Sequence, residues 1–144
     1  MQKNQYKTKL DHVAIATNDP QQLKHIFKLI GLLDGGTEVI PRQGIKTHFL
    51  KIQPSATQIE ILEPVEPVAH QGVVAKFLSK RGPGVHHLSF EVENLNELSK
   101  ELELNRVKLV YSSSQSGAHQ TKINFIHPDS TGGVLIELSE KEIL

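Results

Sequence analysis

The chain has 144 residues, 38% hydrophobic and 22% charged, enough for one domain or two small fused modules with a buried core. Lysine plus arginine equals aspartate plus glutamate at 16 each, so no net field draws in a polyanion, which argues against nucleic acid as the main partner. Cysteine is absent, which excludes disulfides, thiolate chemistry and sulfur-ligated metal sites, and leaves His, Asp, Glu and Gln as the metal-binding repertoire.

The opening "MQKNQYKTKL" is polar and carries no apolar signal region. No window approaches the roughly 18 apolar residues of a membrane span, so the expectation is a cytoplasmic protein with no membrane partner. "KLDHVAIAT" (9–17) then reads as a strand, being apolar and rich in β-formers. In "NDP", Asp19 is placed to N-cap a helix with Pro20 at its first position. Leu23, Ile26, Phe27 and Ile30 fall at the spacing of one helical face, and Gly31 is placed to close it. Strands are predicted at 33–40, 44–52 and 57–63, separated by the turn-like "PRQG" and "PSAT".

Val73, Val74, Phe77 and Leu78, ahead of "KRGPG", predict a short connecting helix. "GVHHLSFEV" (84–92) is the next strand, and Asn94 is placed to cap a helix carrying Leu95, Leu98 and Leu102. Strands at 107–112, 120–126 and 133–139 follow, interrupted by "SSSQSGAH" and "HPDSTGG". The expected class is therefore α+β. A single domain, 1–144, would contain a first β-α-β-β-β module (9–64), a connecting helix and linker (65–83) and a second β-α-β-β-β module (84–140).

The two halves can be overlaid residue by residue. "LDHVAIA" (10–16) lies on "VHHLSFE" (85–91), which places His12 on His87, and "TQIEILE" (57–63) lies on "VLIELSE" (134–140), which places Glu60 on Glu137. Two copies are too few for a solenoid and read better as a paired module. Taken singly, each of these four residues has a plain structural explanation. A strand histidine is commonly a hydrogen-bonded structural residue, and Glu60 in "IEI" or Glu137 in "IEL" suits the solvated face of a half-buried sheet. Their recurrence at matched positions favours a metal site built from His12, Glu60, His87 and Glu137. Nitrogen and oxygen ligands of this kind suit Zn²⁺, Ni²⁺, Co²⁺, Mn²⁺ or Fe²⁺, and do not choose among them. Adjacent strand residues point to opposite faces, so the overlay selects His87 and assigns His86 a structural place.

Ser130, Thr131 and the backbone N–H groups of Gly132 and Gly133 are candidates to hold an anionic or carbonyl group, although a tight turn explains "HPDSTGG" equally well. His119 and His127 are open between lining a pocket and structural hydrogen bonding.

The openings "DHVAIA" and "GVHHLSFEV" of the paired modules resemble the vicinal oxygen chelate superfamily, which includes the glyoxalases, bleomycin resistance proteins and dioxygenases. Within it, "PRQGIKTHFL" (41–50), "QIEILEP" (58–64), "VAKFLSKRGPGVHHLSFEV" (74–92) and "GAHQTKINFIHPDSTGGVLIEL" (117–138) resemble the methylmalonyl-CoA epimerase family. The resemblance implies a cupped mixed sheet around a divalent metal (Co²⁺, Ni²⁺ or Zn²⁺) held by His12, Glu60, His87 and Glu137, in a homodimer. It implies an acyl-CoA substrate, with proton transfer at C2 interconverting two epimers through an enolate. Glu137 is the leading acid/base candidate. Thr47 stands where some relatives carry a glutamate and cannot act as a base, so either a water relays the second proton, or Glu60 does double duty, or the substrate differs. His119 and the 130–133 loop are the substrate-binding candidates, and Lys76, Lys80, Arg81 and Lys122 are available to the nucleotide phosphates. A glyoxalase I-like isomerase would use the same four ligands. A metal-free small-molecule binding or resistance protein would share only the fold.

Overall fold

The computed structural model describes residues 7–65 and 72–143. Positions 66–71 of the expected linker lie outside the described residues, as do the first six residues and the last. The elements run β1 (Thr8–Ala16), α1 (Pro20–Leu29), β2 (Leu33–Ile40), β3 (Ile45–Lys51), β4 (Gln58–Pro64), α2 (Val73–Arg81), β5 (Gly84–Val92), α3 (Leu95–Leu104), β6 (Gln115–Gly117), β7 (Thr121–Ile126) and β8 (Ile136–Lys141). The class is α+β with mixed strand pairing, as expected. Among the described residues no helix is long and apolar enough to cross a membrane.

The chain divides into two compact units, one of residues 12–86 and one of residues 87–143 with the start of β1 as far as Asp11. In the first unit the strand order is β2-β3-β4-β1, with β1 parallel to β4 and the other pairs antiparallel. The second has order β5-β8-β7-β6, again with the first and last strands parallel and the rest antiparallel. The parallel pair follows from connectivity, because the helix carries the chain across before two hairpins bring it back.

Asp19 caps α1 by accepting a hydrogen bond from the Gln22 N–H, and Pro20 sits at the first helical position. The helix ends at Ile30, with Gly31 just beyond at φ +107°, a conformation that suits glycine. α1 packs on β3 and β4, where Leu50 and Ile61 are fully buried; burying each is worth about 1.5–3 kcal/mol. Of the predicted apolar face, Leu23 and Phe27 are half-buried, whereas Ile26 and the terminal Ile30 are exposed, Ile30 by 68%. The helix stops before Ile30 can be wrapped over the sheet. On the opposite face, Ala14, Ala16 and Leu62 form a core with Val74 of α2, flanked by Ile45, Phe77 and Leu78.

After α1 the chain turns at Asp34, whose carboxylate accepts the Gly36 N–H at 2.9 Å and lies 3.2 Å from the Lys24 ammonium and 3.4 Å from that of Lys28. The Gly36 hydrogen bond, and then the two lysines, hold its pKa down from the usual 3.8 to about 2. In the second unit, Asn94 caps α3 through the Glu97 N–H, and Glu140 of β8 accepts the Leu95 N–H at 2.8 Å. Val92, Leu95 and Leu138 form the core there, flanked by Phe90, Leu98, Leu102, Ile126 and Ile136.

Two strand expectations are corrected. Residues 107–112 form only an isolated bridge at Leu109, and the strand itself lies later, at Gln115–Gly117, inside the stretch expected to be an interruption. The ladder starts, with the Val110 N–H donating to Phe125 O and the His127 N–H to Lys108 O. At Tyr111 the buried Asn124 side chain takes over, accepting the Tyr111 N–H at 3.1 Å and donating to Tyr111 O at 3.0 Å. A side-chain amide thus replaces the partner backbone and ends the strand. β6 resumes at a tight hairpin where a Cβ on Gly117 would lie 2.5 Å from Ile123 Cγ2, so any larger residue would have to displace that side chain. The last strand starts at Ile136 rather than 133, because Thr131 Oγ1 accepts the Val134 N–H and donates to Val134 O, tying that residue into a turn.

Asn124→Ala leaves the Tyr111 N–H and C=O without these partners, and is expected to cost about 2–3 kcal/mol in chemical denaturation. The Asp34 links persist at neutral pH and are lost as pH falls through the folded-state value. A carbon-detected titration of the Asp34 carboxyl should therefore give a midpoint near 2; one near 3.8 would disprove the three-way tie.

Candidate functional site

In the first unit β1 and β4 run parallel with Ala14 opposite Glu60 and His12 opposite Gln58. Side chains two apart share a face, so this register sends His12 and Glu60 to the same side. Their Nδ1 and Oε2 atoms lie 3.1 Å apart, the histidine buried and the glutamate partly so. β3 adds Phe49 opposite Glu60 and Thr47 opposite Leu62, both on that face and both buried. His48 goes to the other side, opposite Ile61, where it is 1% exposed and its Nε2 lies 3.2 Å from Glu63 Oε1. Thr47 therefore faces Glu60's side of the sheet and His48 does not, as strand alternation predicts.

The second unit repeats the layout. Ser89 lies opposite Glu137 on the parallel β5–β8 pair, and Phe125 of β7 lies opposite Glu137 from the other side. His87, two residues before Ser89, shares its face and packs edge-on to Phe125, with ring centroids 6.0 Å apart. The Ser89 hydroxyl donates to Glu137 Oε1 at 2.7 Å. Each unit thus presents one buried histidine and one carboxylate on the same sheet face, a pair of metal-ligand type.

His86, at the end of the first unit, stacks edge-on with Phe77 of α2 at 4.9 Å, and burial pushes its imidazole below the usual histidine range. The Arg81 guanidinium lies 5.8 Å from the centre of the same Phe77 ring. In the 130–133 loop, the Ser130 hydroxyl accepts the Lys108 N–H at 2.8 Å, the Thr131 hydroxyl serves the Val134 turn, and the Gly133 N–H donates to Pro128 O. His127 Nδ1 accepts the Asp129 N–H, which gives that residue a capping place. His119 is exposed in the β6–β7 turn at φ +54°.

Sequence reasoning passed over Ser89 and Phe125. Ser89 had a visible signal, since the overlay of the two halves sets it on Ala14, a polar residue where the other copy is apolar. Phe125 had a weaker one: it and Phe49 occupy the same place opposite the two glutamates.

Comparison with known proteins identifies the family of the chain. A sequence profile of the Glyoxalase/Bleomycin resistance protein/Dioxygenase superfamily matches residues 11–125. The chain belongs to this superfamily. It is 33% identical over 135 residues to the mitochondrial methylmalonyl-CoA epimerase of Dictyostelium discoideum, covering 92% of this chain and 78% of that protein. The crystal structure of methylmalonyl-CoA epimerase from Mycobacterium tuberculosis superposes with a TM-score of 0.83 at 38% identity, covering 93% of this chain and 88% of the other. A Streptomyces coelicolor methylmalonyl-CoA epimerase variant in complex with 2-nitronate-propionyl-CoA superposes with a TM-score of 0.82 at 28% identity, covering 94% and 98%. Within the superfamily, the chain groups with the methylmalonyl-CoA epimerases.

His87→Ala is expected to abolish Ni²⁺ or Co²⁺ binding in calorimetry, while His86→Ala leaves it largely intact. Equal loss from both would contradict the assignment of His87, and not His86, to the ligand-bearing face.

Proposed function

We propose that the protein interconverts the 2R and 2S forms of methylmalonyl-CoA, and that His12, Glu60, His87 and Glu137 together hold a divalent ion that assists the reaction. The observation that carries this reading is the repeated pairing of one buried histidine with one carboxylate on the same sheet face, in a chain that groups with the methylmalonyl-CoA epimerases. The donor set fits a metal: imidazole nitrogen and carboxylate oxygen suit Co²⁺, Ni²⁺ or Zn²⁺. When bound, such an ion supplies Lewis-acid stabilisation of the charge developing on the thioester oxygen, an effect typically worth about 10²–10³ in rate for one well-placed contact.

The remaining work falls to the protein's own side chains. The hydrogen at C2 lies between a thioester and a carboxylate, and its removal leaves an enolate. Inverting the centre requires a proton to leave one face and return to the other, which calls for two acid/base groups or one that reaches both faces. Glu137 and Glu60 are the groups with the right chemistry. Thr47, buried on Glu60's side of the sheet, cannot accept the proton, so the second transfer falls to Glu60 or to a water that relays it. The Thr131 hydroxyl serves the turn, and the N–H groups of Ser130, Thr131 and Gly133 donate to His127 O or Pro128 O. The Ser130 hydroxyl accepts the Lys108 N–H and keeps its own proton, so that O–H and the Gly132 N–H are the loop's means of holding substrate. His119 at the β6–β7 turn completes the substrate-binding proposal. A homodimer is part of the same reading, supported by the exposed apolar side chains Ile26, Leu29, Ile30 and Leu33.

The test is to incubate metal-loaded protein with one epimer of methylmalonyl-CoA in heavy water. Deuterium should enter at C2 while the other epimer accumulates. No exchange above buffer, together with isomerisation of a glutathione hemithioacetal, would move the assignment to a glyoxalase.

A further inference from the structure

We propose that Ser89 is a positioning residue, whose buried hydroxyl ties down one oxygen of Glu137 and so turns the other toward the ion. The proposal rests on the reading of Glu137 as metal ligand and acid/base group. Ser89 is 0% exposed and its Oγ lies 2.7 Å from Glu137 Oε1, within the range for a hydroxyl bound to a carboxylate. The two residues are directly opposite each other on parallel strands, so the contact is set by register rather than by side-chain reach.

The first unit shows that the fold does not need this hydroxyl. There Ala14 takes the same place, opposite Glu60 and likewise 0% exposed, and the sheet closes around it. Glu60 is oriented instead by His12, 3.1 Å away. Ser89 is thus a tie on Glu137 that has no counterpart at Ala14. In the second unit the oxygen taken by Ser89 has one lone pair committed to a neutral donor, which disfavours coordination through both oxygens. Glu137 is oriented before any ion arrives, and hydrogen bonding to a ligating carboxylate is the kind of contact whose loss costs about 10–100-fold in metal affinity or activity.

Ser89→Ala reproduces the residue that the first unit tolerates, and Ser89→Cys keeps a similar volume while donating only weakly. Both should melt like the parent protein. Both should bind Co²⁺ about 10–100-fold more weakly, with an altered visible absorption band as the carboxylate changes its mode of coordination, and with kcat reduced more than KM. Unchanged Co²⁺ affinity and band in both variants, while Glu137→Ala loses the metal, would overturn the role of Ser89 and leave the ligand reading standing. Unchanged Co²⁺ binding in Glu137→Ala would overturn the ligand reading and this proposal with it.

Discussion

Everything at the candidate site depends on the register of two parallel strand pairs, β1 with β4 and β5 with β8. Because side chains alternate along a strand, a one-residue slip in either pair would move a glutamate to the opposite face from its histidine. The register is held from both sides of the sheet. In the first unit Ala14, Ala16 and Leu62 pack under α2, while Leu50 and Ile61 are buried on the face where α1 packs. In the second, Leu138 packs with Leu95 of α3, and Glu140 ties the start of that helix to the same strand. Apolar burial on one set of positions thereby fixes where the polar set must point.

The small alanines of β1 have a further consequence. On the same face as His12 and Glu60, β1 carries the small residues Ala14 and Ala16, which pack with Leu62 and with Val74 of α2. Gly35 of β2 does something similar at the strand edge. A Cβ there would lie 3.1 Å from Phe49 O, pressing on the residue that stands opposite Glu60. The polar pair is thus bordered by positions where size is constrained.

Duplication explains the common plan, and divergence explains the chemistry. Phe49 and Phe125 stand in equivalent places opposite the two glutamates, and the histidines lie at equivalent places on the first strands. The residue facing each glutamate from the first strand differs, alanine in one copy and serine in the other. Epimerisation calls for two acid/base groups or one that reaches both faces of the carbon, and where there are two the reaction does not require them to be held alike. A fold built from two similar halves can supply both, provided that the halves differ where the carboxylates are held.

Much of this was legible in the residues. The alternation in "GVHHLSFEV", the caps Asp19 and Asn94, and the overlay of the two halves gave the element order and selected His12, Glu60, His87 and Glu137 as ligand candidates. These are local or periodic signals, set by backbone sterics and by the two-residue repeat of a strand. The end of the 107–112 strand was not legible, because it depends on the Asn124 side chain reaching across to Tyr111. Nor was the satisfied state of the 130–133 loop, where a turn and an anion site use the same residue types and differ only in which partner each hydroxyl meets. By itself the sequence determined which residues share a strand face, since alternation is a property of the chain. Only the tertiary structure decided what each of those side chains touches, above all that the hydroxyl of Ser89 meets Glu137, because a contact between residues 48 apart in sequence exists only once two strands have been brought side by side.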